Sequence, residues 1–145
     1  MVTPYITFAG NCQEAIEFYK EVFNSTIKMV QSYGDYVPEG IVEPPDDLDT
    51  WILHAEMEIC GTNFWFADEV AEPVNAGNTE SPWLQSGKTM VKLTVQVPGA
   101  EEAQRIFDAL NREAYITLPP VETFYSAFHA ALMDRFGVGW NITAV

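Results

Sequence analysis

Basic residues are scarce in this chain. Seven lysines and arginines face 21 aspartates and glutamates, a formal net charge of −14. A phosphate backbone would be repelled by that field and no basic cluster offsets it, which argues against nucleic acid and an anionic membrane surface as partners. Long apolar runs are also missing: none approaches the ~20 residues that a spanning helix needs. The opening MVTPYITFAGN has neither the charged segment nor the long apolar segment of a secretion signal, so the expectation is a soluble, cytoplasmic protein. There are two cysteines, Cys12 and Cys60, too few for a disulfide framework and suited to a reducing compartment. No CxxC, P-loop or GxGxxG occurs, which removes the common zinc-ribbon and phosphate-cradling readings.

Apolar residues, by contrast, are plentiful. They make up 48% of 145 residues against 19% charged, enough for one packed domain or two small modules sharing a core. The pattern begins with a strand over 3–9. Asn11 then has the character of an N-cap, and Glu14 three residues on completes a capping box. Ala15, Phe18, Tyr19, Val22 and Phe23 recur at three- and four-residue spacing, which predicts a helix over 12–23 with one aromatic face buried. A β-branched stretch follows at 26–33. The acidic, proline-bearing GDYVPEGIVEPPDDLDT reads as a solvated excursion or, given its length, as a lid over a pocket. WILHAEMEIC and NFWFAD then form a hairpin turned at Gly61-Thr62.

The same order returns later. Glu14-Ala15 recurs as Glu102-Ala103, 88 positions on. Residues 88–97 alternate, with Val91, Leu93, Val95 and Val97 on one side and Met90, Lys92, Thr94 and Gln96 on the other. A helix over 100–111 buries Ala103, Ile106, Phe107 and Leu110. A short strand at 114–117 leads through PPVETF to a hairpin of 125–133 and 138–143, turned at DRFG. HAEMEICGTNFW and HAALMDRFGVGW echo each other across the hairpins. Helix, strand order and hairpin all recur, so the chain reads as a duplication: a first βαβββ module over 1–68, a linker over 69–87 and a second module over 88–145.

Two successive βαβββ units resemble the vicinal oxygen chelate superfamily, which includes glyoxalase I, extradiol dioxygenases and bleomycin-resistance proteins. Within it the sequence is most similar to the PhnB-like branch. The residues that carry the resemblance are PYITFAGNCQEAIEFYKEVF, LHAEMEICGTNFWFAD and ETFYSAFHAALMDRFGVGWNI, which together span nearly the whole chain. The resemblance implies an α+β fold in which two tandem modules curl mixed sheets around a shared cavity, with the helices outside. It also implies a small-molecule ligand between the sheets and a homodimer. A ubiquinone-pathway methyltransferase label is sometimes attached to such sequences. It has no support in the residues, because no glycine-rich nucleotide-binding loop follows a strand. Nor does a name linked to phosphonate metabolism establish phosphonate chemistry.

Metal-dependent members of the superfamily place His or Glu at four stations, near the first and last strands of each module. Carried through the repeat, those stations fall on Pro4, Lys92, Trp65 and Asn141. Pro4 and Trp65 offer no ligand atom, a cationic Lys92 repels an ion, and Asn141 has only a weak carbonyl oxygen. A register slip of one residue would bring in Thr or Tyr, not His or Glu. The expectation is that the usual metal site is absent, with no cofactor. A displaced set is conceivable in His54, His129 and Glu56, since two imidazoles and a carboxylate make a workable set. Against it, no short metal-binding spacing supports them, and cavity-lining or core histidines with satisfied hydrogen bonds are the plainer reading.

Cys12 falls in the first turn of a helix, where the dipole can lower a thiol pKa, although Glu14 and the acidic chain oppose that; packing is the plainer role. Cys60 reads as a small hydrophobe at a hairpin end. Trp51, Phe64, Trp65, Phe66, Phe124, Tyr125, Phe128 and Trp140 supply a core, but alternation sets Trp65 on the opposite face from Phe64 and Phe66. An aromatic wall with a few polar groups is how small-molecule pockets are built. The candidate ligand-binding set is therefore His54, Glu56, Trp65, Lys92, Thr94 and Asn141, with Lys92 expected to pair with a ligand anion or with Glu56 or Glu58. Three functions remain open: a metal-independent small-molecule binder, a metal-dependent lyase or dioxygenase with displaced ligands, and a non-catalytic dimeric scaffold. No catalytic residue is assigned.

Overall fold

A computed structural model describes residues 1–35, 49–69 and 91–145. The chain divides into two compact units, Met1–Pro73 and Val74–Val145. In the first, β1 (Tyr5–Phe8), α1 (Cys12–Phe23), β2 (Ile27–Ser32), β3 (Ile52–Ile59) and β4 (Thr62–Asp68) follow in order. The second repeats it with β5 (Leu93–Val97), α2 (Gly99–Leu110), β6 (Tyr115–Val121), β7 (His129–Met133) and β8 (Gly139–Ala144). Each unit is a four-stranded mixed sheet, β1-β4-β3-β2 and β5-β8-β7-β6, with its first strand parallel to its last. This is the βαβββ module, twice.

Alternation decides which face of each sheet meets the helix. Along β3 and β4, Ala55, Met57, Ile59, Phe64 and Phe66 are buried, and α1 packs on these two strands with Ala15, Ile16, Phe18, Tyr19 and Val22. The Tyr19 and Phe66 rings pack at a tilt, with a centroid distance of 6.1 Å. Burying a side chain such as Phe66 contributes about 1.5–3 kcal/mol. In the second unit α2 packs Ala103, Ile106, Phe107 and Leu110 on β5 and β8, where Val95, Val97, Trp140 and Ile142 are buried. Residues between these positions point to the helix-free face.

The start of α1 departs from expectation. Asn11 occupies the cap position but its side chain makes no capping hydrogen bond. The cap comes from the far end of β4: Asp68 Oδ1 accepts from Gly10 N–H at 2.8 Å and Cys12 N–H at 3.0 Å, and Oδ2 accepts from Ile52 N–H at 2.8 Å. One buried carboxylate thus neutralises orphan donors of the helix and complements its dipole. It also pins the first residue of β3. The helix ends as its sequence suggests. Asn24 takes the left-handed conformation at φ 50°, and Ser25 N–H bonds back to Lys20 O at 3.0 Å in a Schellman-type closure.

Three boundaries move. The first hairpin turns at Cys60-Gly61 rather than Gly61-Thr62: Ile59 pairs with Thr62, and both turn residues have positive φ, 48° and 84°, the signature of a type I′ turn. Cys60 is consequently exposed and is not a small buried hydrophobe. The strand expected over 114–117 runs on through Pro119 and Pro120, which an edge strand tolerates because its outer side needs no donors. The last hairpin begins at His129, not at 125. Its DRFG turn is held by Asp134, whose carboxylate accepts from Phe136 N–H, Val138 N–H and the Trp140 indole N–H at 2.9, 3.0 and 2.8 Å. Residues 36–48, the core of the expected lid, and 70–90, which hold nearly all of the expected linker and the first residues of the expected strand at 88–97, lie outside the described residues.

Candidate functional site

On the first sheet, the helix-free face brings together four side chains. Tyr5 and Trp65 are direct partners across the parallel β1–β4 pair, and Glu56 is the partner of Trp65 across β3–β4. Cross-strand partners sit within side-chain reach. The Tyr5 and Trp65 rings meet edge to face at 5.9 Å, His54 and Trp65 at 5.0 Å, and Tyr5 and His54 at 6.4 Å. Glu56 Oε1 lies 3.3 Å from His54 Nε2. An ionised carboxylate only accepts, so this bond places the proton on Nε2. Tyr5 is 53% and Trp65 39% exposed, whereas His54 and Glu56 are half-buried. Large aromatic faces therefore stand open beside a held carboxylate.

The electrostatics of this corner are acidic. Burial raises the Tyr5 phenol above its ordinary value, and the Glu69 carboxylate raises it further. Burial also raises Tyr33, followed by the neighbouring Tyr5 phenol and the Asp68 and Glu69 carboxylates, and its hydroxyl donates to Asp68 O at 2.9 Å. The two lysines of the first unit pair with other glutamates. Lys28 Nζ is 3.3 Å from Glu58 and Lys20 Nζ is 3.9 Å from Glu17. Within the first unit, Glu58 is held by Lys28 and Glu56 by His54.

The second sheet's helix-free face is polar rather than aromatic. Thr94 and Asn141 are direct strand partners, and Asn141 Nδ2 donates to Thr94 Oγ1 at 3.3 Å. His129 Nδ1 lies 3.2 Å from Thr143 Oγ1, with Tyr125 against its ring at 5.8 Å. Lys92 is exposed just ahead of β5. Of the six candidate residues, His54, Glu56 and Trp65 thus meet on one sheet, Thr94 and Asn141 on the other, and Lys92 stands outside the strands.

Sequence reasoning missed Tyr5. The carried-over station fell on Pro4, whose carbonyl accepts from Trp65 N–H at 2.9 Å, while the side chain that faces Trp65 belongs to the next residue. The in-register pairs are Tyr5–Trp65 and Thr94–Asn141. A phenol, an indole, a hydroxyl and an amide make a poor donor set for a divalent ion, which is held by imidazole, carboxylate or thiolate. Among the described residues no group of three His, Cys, Asp or Glu side chains could hold a metal. The superfamily's metal does not fit the residues at its stations. Cys12 is no nucleophile either: it is fully buried, and burial followed by the Asp68 carboxylate pushes its thiol well above the usual range.

Comparison with known proteins bears on this geometry. Residues 1–143 match the family described as 3-demethylubiquinone-9 3-methyltransferase. Protein YjdN from Escherichia coli is 31% identical over 154 residues, spanning 99% of this chain and 95% of its own. The PhnB protein from Bacillus cereus shares the fold with a TM-score of 0.73 at 23% identity, covering 99% and 98% of the two chains. A glyoxylase/bleomycin resistance protein/dioxygenase domain from Frankia superposes with a TM-score of 0.60 at 12% identity, covering 99% and 90%. No helix among the described residues is long and apolar enough to cross a membrane.

Proposed function

The chain belongs to the 3-demethylubiquinone-9 3-methyltransferase family, the PhnB-like branch of the vicinal oxygen chelate superfamily, and on that premise we propose that it binds a small organic molecule on the helix-free face of its first sheet without a resident divalent ion. The observation that carries this reading is the Tyr5–Trp65 pair, two exposed aromatic side chains in strand register, one at and one beside the positions, Trp65 and Pro4, onto which the resemblance carries the metal stations. Glu56, fixed by His54, supplies the orienting polar group. Flat apolar surface with a few convergent polar atoms is what a small-molecule site requires. Methyl transfer, which the family description names, finds no glycine-rich nucleotide loop in the sequence.

The test is a fragment screen read at the indole N–H of Trp65 by two-dimensional NMR, with the signal assigned through Trp65→Phe. Saturable shifts of that signal support the reading. A screen in which fragments shift other signals but never that of Trp65 removes it.

A second reading, a homodimeric scaffold, is favoured by one observation. Strand β6 is exposed along all seven residues, and beyond Glu122 and Thr123 the exposed Phe124 and Tyr125 follow. Light scattering of the wild type and of Leu118→Asp checks it: a dimer that dissociates in the variant supports the scaffold, and a monomeric wild type rules it out.

A further inference from the structure

The two units differ sharply in charge. Residues 1–73 carry 14 acidic and 2 basic side chains, and residues 74–145 carry 7 and 5. Nearly the whole negative excess thus belongs to the unit that bears the aromatic corner. Its two cations are Lys20 and Lys28, and each is paired with its own glutamate, Glu17 and Glu58. Among the described residues, the ion-pair partner of Glu56 is the imidazole of His54. A carboxylate beside exposed indole and phenol faces, inside an acidic field with no basic side chain to spare, is complementary to a cation brought by the ligand.

We propose that the ligand of this face carries an organic ammonium group, held against the faces of Trp65 and Tyr5 with Glu56 as its counter-ion. The inference rests on the small-molecule reading above and narrows it to a chemical class. Aromatic rings attract cations through the negative potential of their faces, most strongly in tryptophan, and substituted ammonium ions are favoured over small hydrated metal ions because their methyl or methylene groups also bury apolar surface. The three rings meet nearly at right angles, 80° for Tyr5–Trp65, 81° for His54–Trp65 and 69° for Tyr5–His54. Their planes therefore face different directions within one patch of the sheet. His54 contributes one ring and also fixes Glu56 through the 3.3 Å bond. The Glu69 carboxylate, close enough to raise the Tyr5 phenol, deepens the negative potential over that ring. Anionic ligands would meet Glu56 and Glu69 without a compensating lysine or arginine from the first unit.

The experiment compares choline with its neutral isostere 3,3-dimethylbutan-1-ol, titrated into the full chain at low ionic strength and followed at the Trp65 indole N–H. Choline is expected to shift that signal saturably, with the alcohol at least about fivefold weaker, the factor that an exposed cation–π contact and a surface charge pair confer together. Glu56→Gln should weaken choline by about three- to tenfold and the alcohol by clearly less, with an unaltered circular dichroism spectrum showing that the variant folds. Equal binding of the two probes, or binding of choline indifferent to Glu56→Gln, overturns the ammonium inference while the small-molecule reading stands. Trp65 shifts caused by neutral or acidic fragments but not by choline do the same. If no fragment of any charge moves Trp65, both readings fall together.

Discussion

Replacing Asp68 with asparagine should destabilise the chain severely. The Asp68 carboxylate is 1% exposed and accepts three backbone N–H groups, from Gly10, Cys12 and Ile52. An asparagine fits the space and keeps one acceptor, so the Gly10 and Cys12 bonds survive but lose charge assistance, about 1 kcal/mol each. Its other terminus is a donor. It would face the Ile52 N–H and leave that buried group unpaired, at about 1–3 kcal/mol. Losing a negative charge at the start of α1 adds about 0.3–1 kcal/mol. The total is about 3–6 kcal/mol, a large share of the ~5–15 kcal/mol that holds a domain together. In urea unfolding followed by far-ultraviolet circular dichroism, the midpoint should fall with little change in slope. A thermal midpoint lower by more than about 8 °C should accompany it. A loss below about 1 kcal/mol would refute the reasoning, because it would mean that α1 does not depend on the β4 carboxylate.

Other perturbations follow from the same geometry. Gly61→Val and Gly137→Val should each cost at least about 1–2 kcal/mol in the same unfolding assay, because φ is 84° and 92° there and an L side chain is strained at positive φ. At both sites a Cβ would meet nothing within 4 Å, so the loss is conformational and should leave fragment binding intact. Cys60→Asn should stabilise by a few tenths to about 1 kcal/mol, since asparagine tolerates the left-handed φ of 48° better than cysteine. A thiol reagent at pH 8 should label Cys60 and spare Cys12, with mass spectrometry of the native protein giving one adduct. Cys12, Tyr33 and Tyr5 are all raised in the folded state, from ordinary values of 9.0 for the thiol and 10.0 for the phenols. The unfolded chain releases these protons first, so stability is full below pH 9 and declines as pH rises past those values. Urea midpoints measured at rising alkaline pH should show that decline, and Cys12→Ala should lessen it.

The modules were legible because their signals are local. The spacing of Ala15, Phe18, Tyr19 and Val22 marks the buried face of α1, and its expected range of 12–23 agrees with the helix at Cys12–Phe23. Alternation of Val95 and Val97 with Thr94 and Gln96 separates the two faces of β5. The cap of α1 was not legible. Asn11 and Glu14 carry a local capping pattern, but the carboxylate that does the capping arrives from a residue more than fifty positions away, and no local pattern announces it. Tyr5 escaped for a related reason. Repeats align helices well, but the connection from β1 to α1 spans three residues while that from β5 to α2 spans one, so a single offset cannot place both strand and helix. Strand register, with Tyr5 opposite Trp65 and Thr94 opposite Asn141, resolves what the repeat leaves one or two residues out. Partner choice at Glu56 and Glu58 was likewise beyond the sequence, because Lys28 reaches Glu58 through the β2–β3 pairing rather than through any spacing.

Elemental analysis tests most directly whether aromatic recognition has replaced the metal on this face. Protein purified without an affinity tag is dialysed against limiting zinc, nickel, manganese and iron, and its metal content is then determined. Far less than one ion per chain is expected, with no difference between the wild type and His54→Ala. Near-stoichiometric metal that disappears in His54→Ala would contradict aromatic recognition, and would make His54 and Glu56 ligands of an ion rather than a ring and a counter-ion for an organic one.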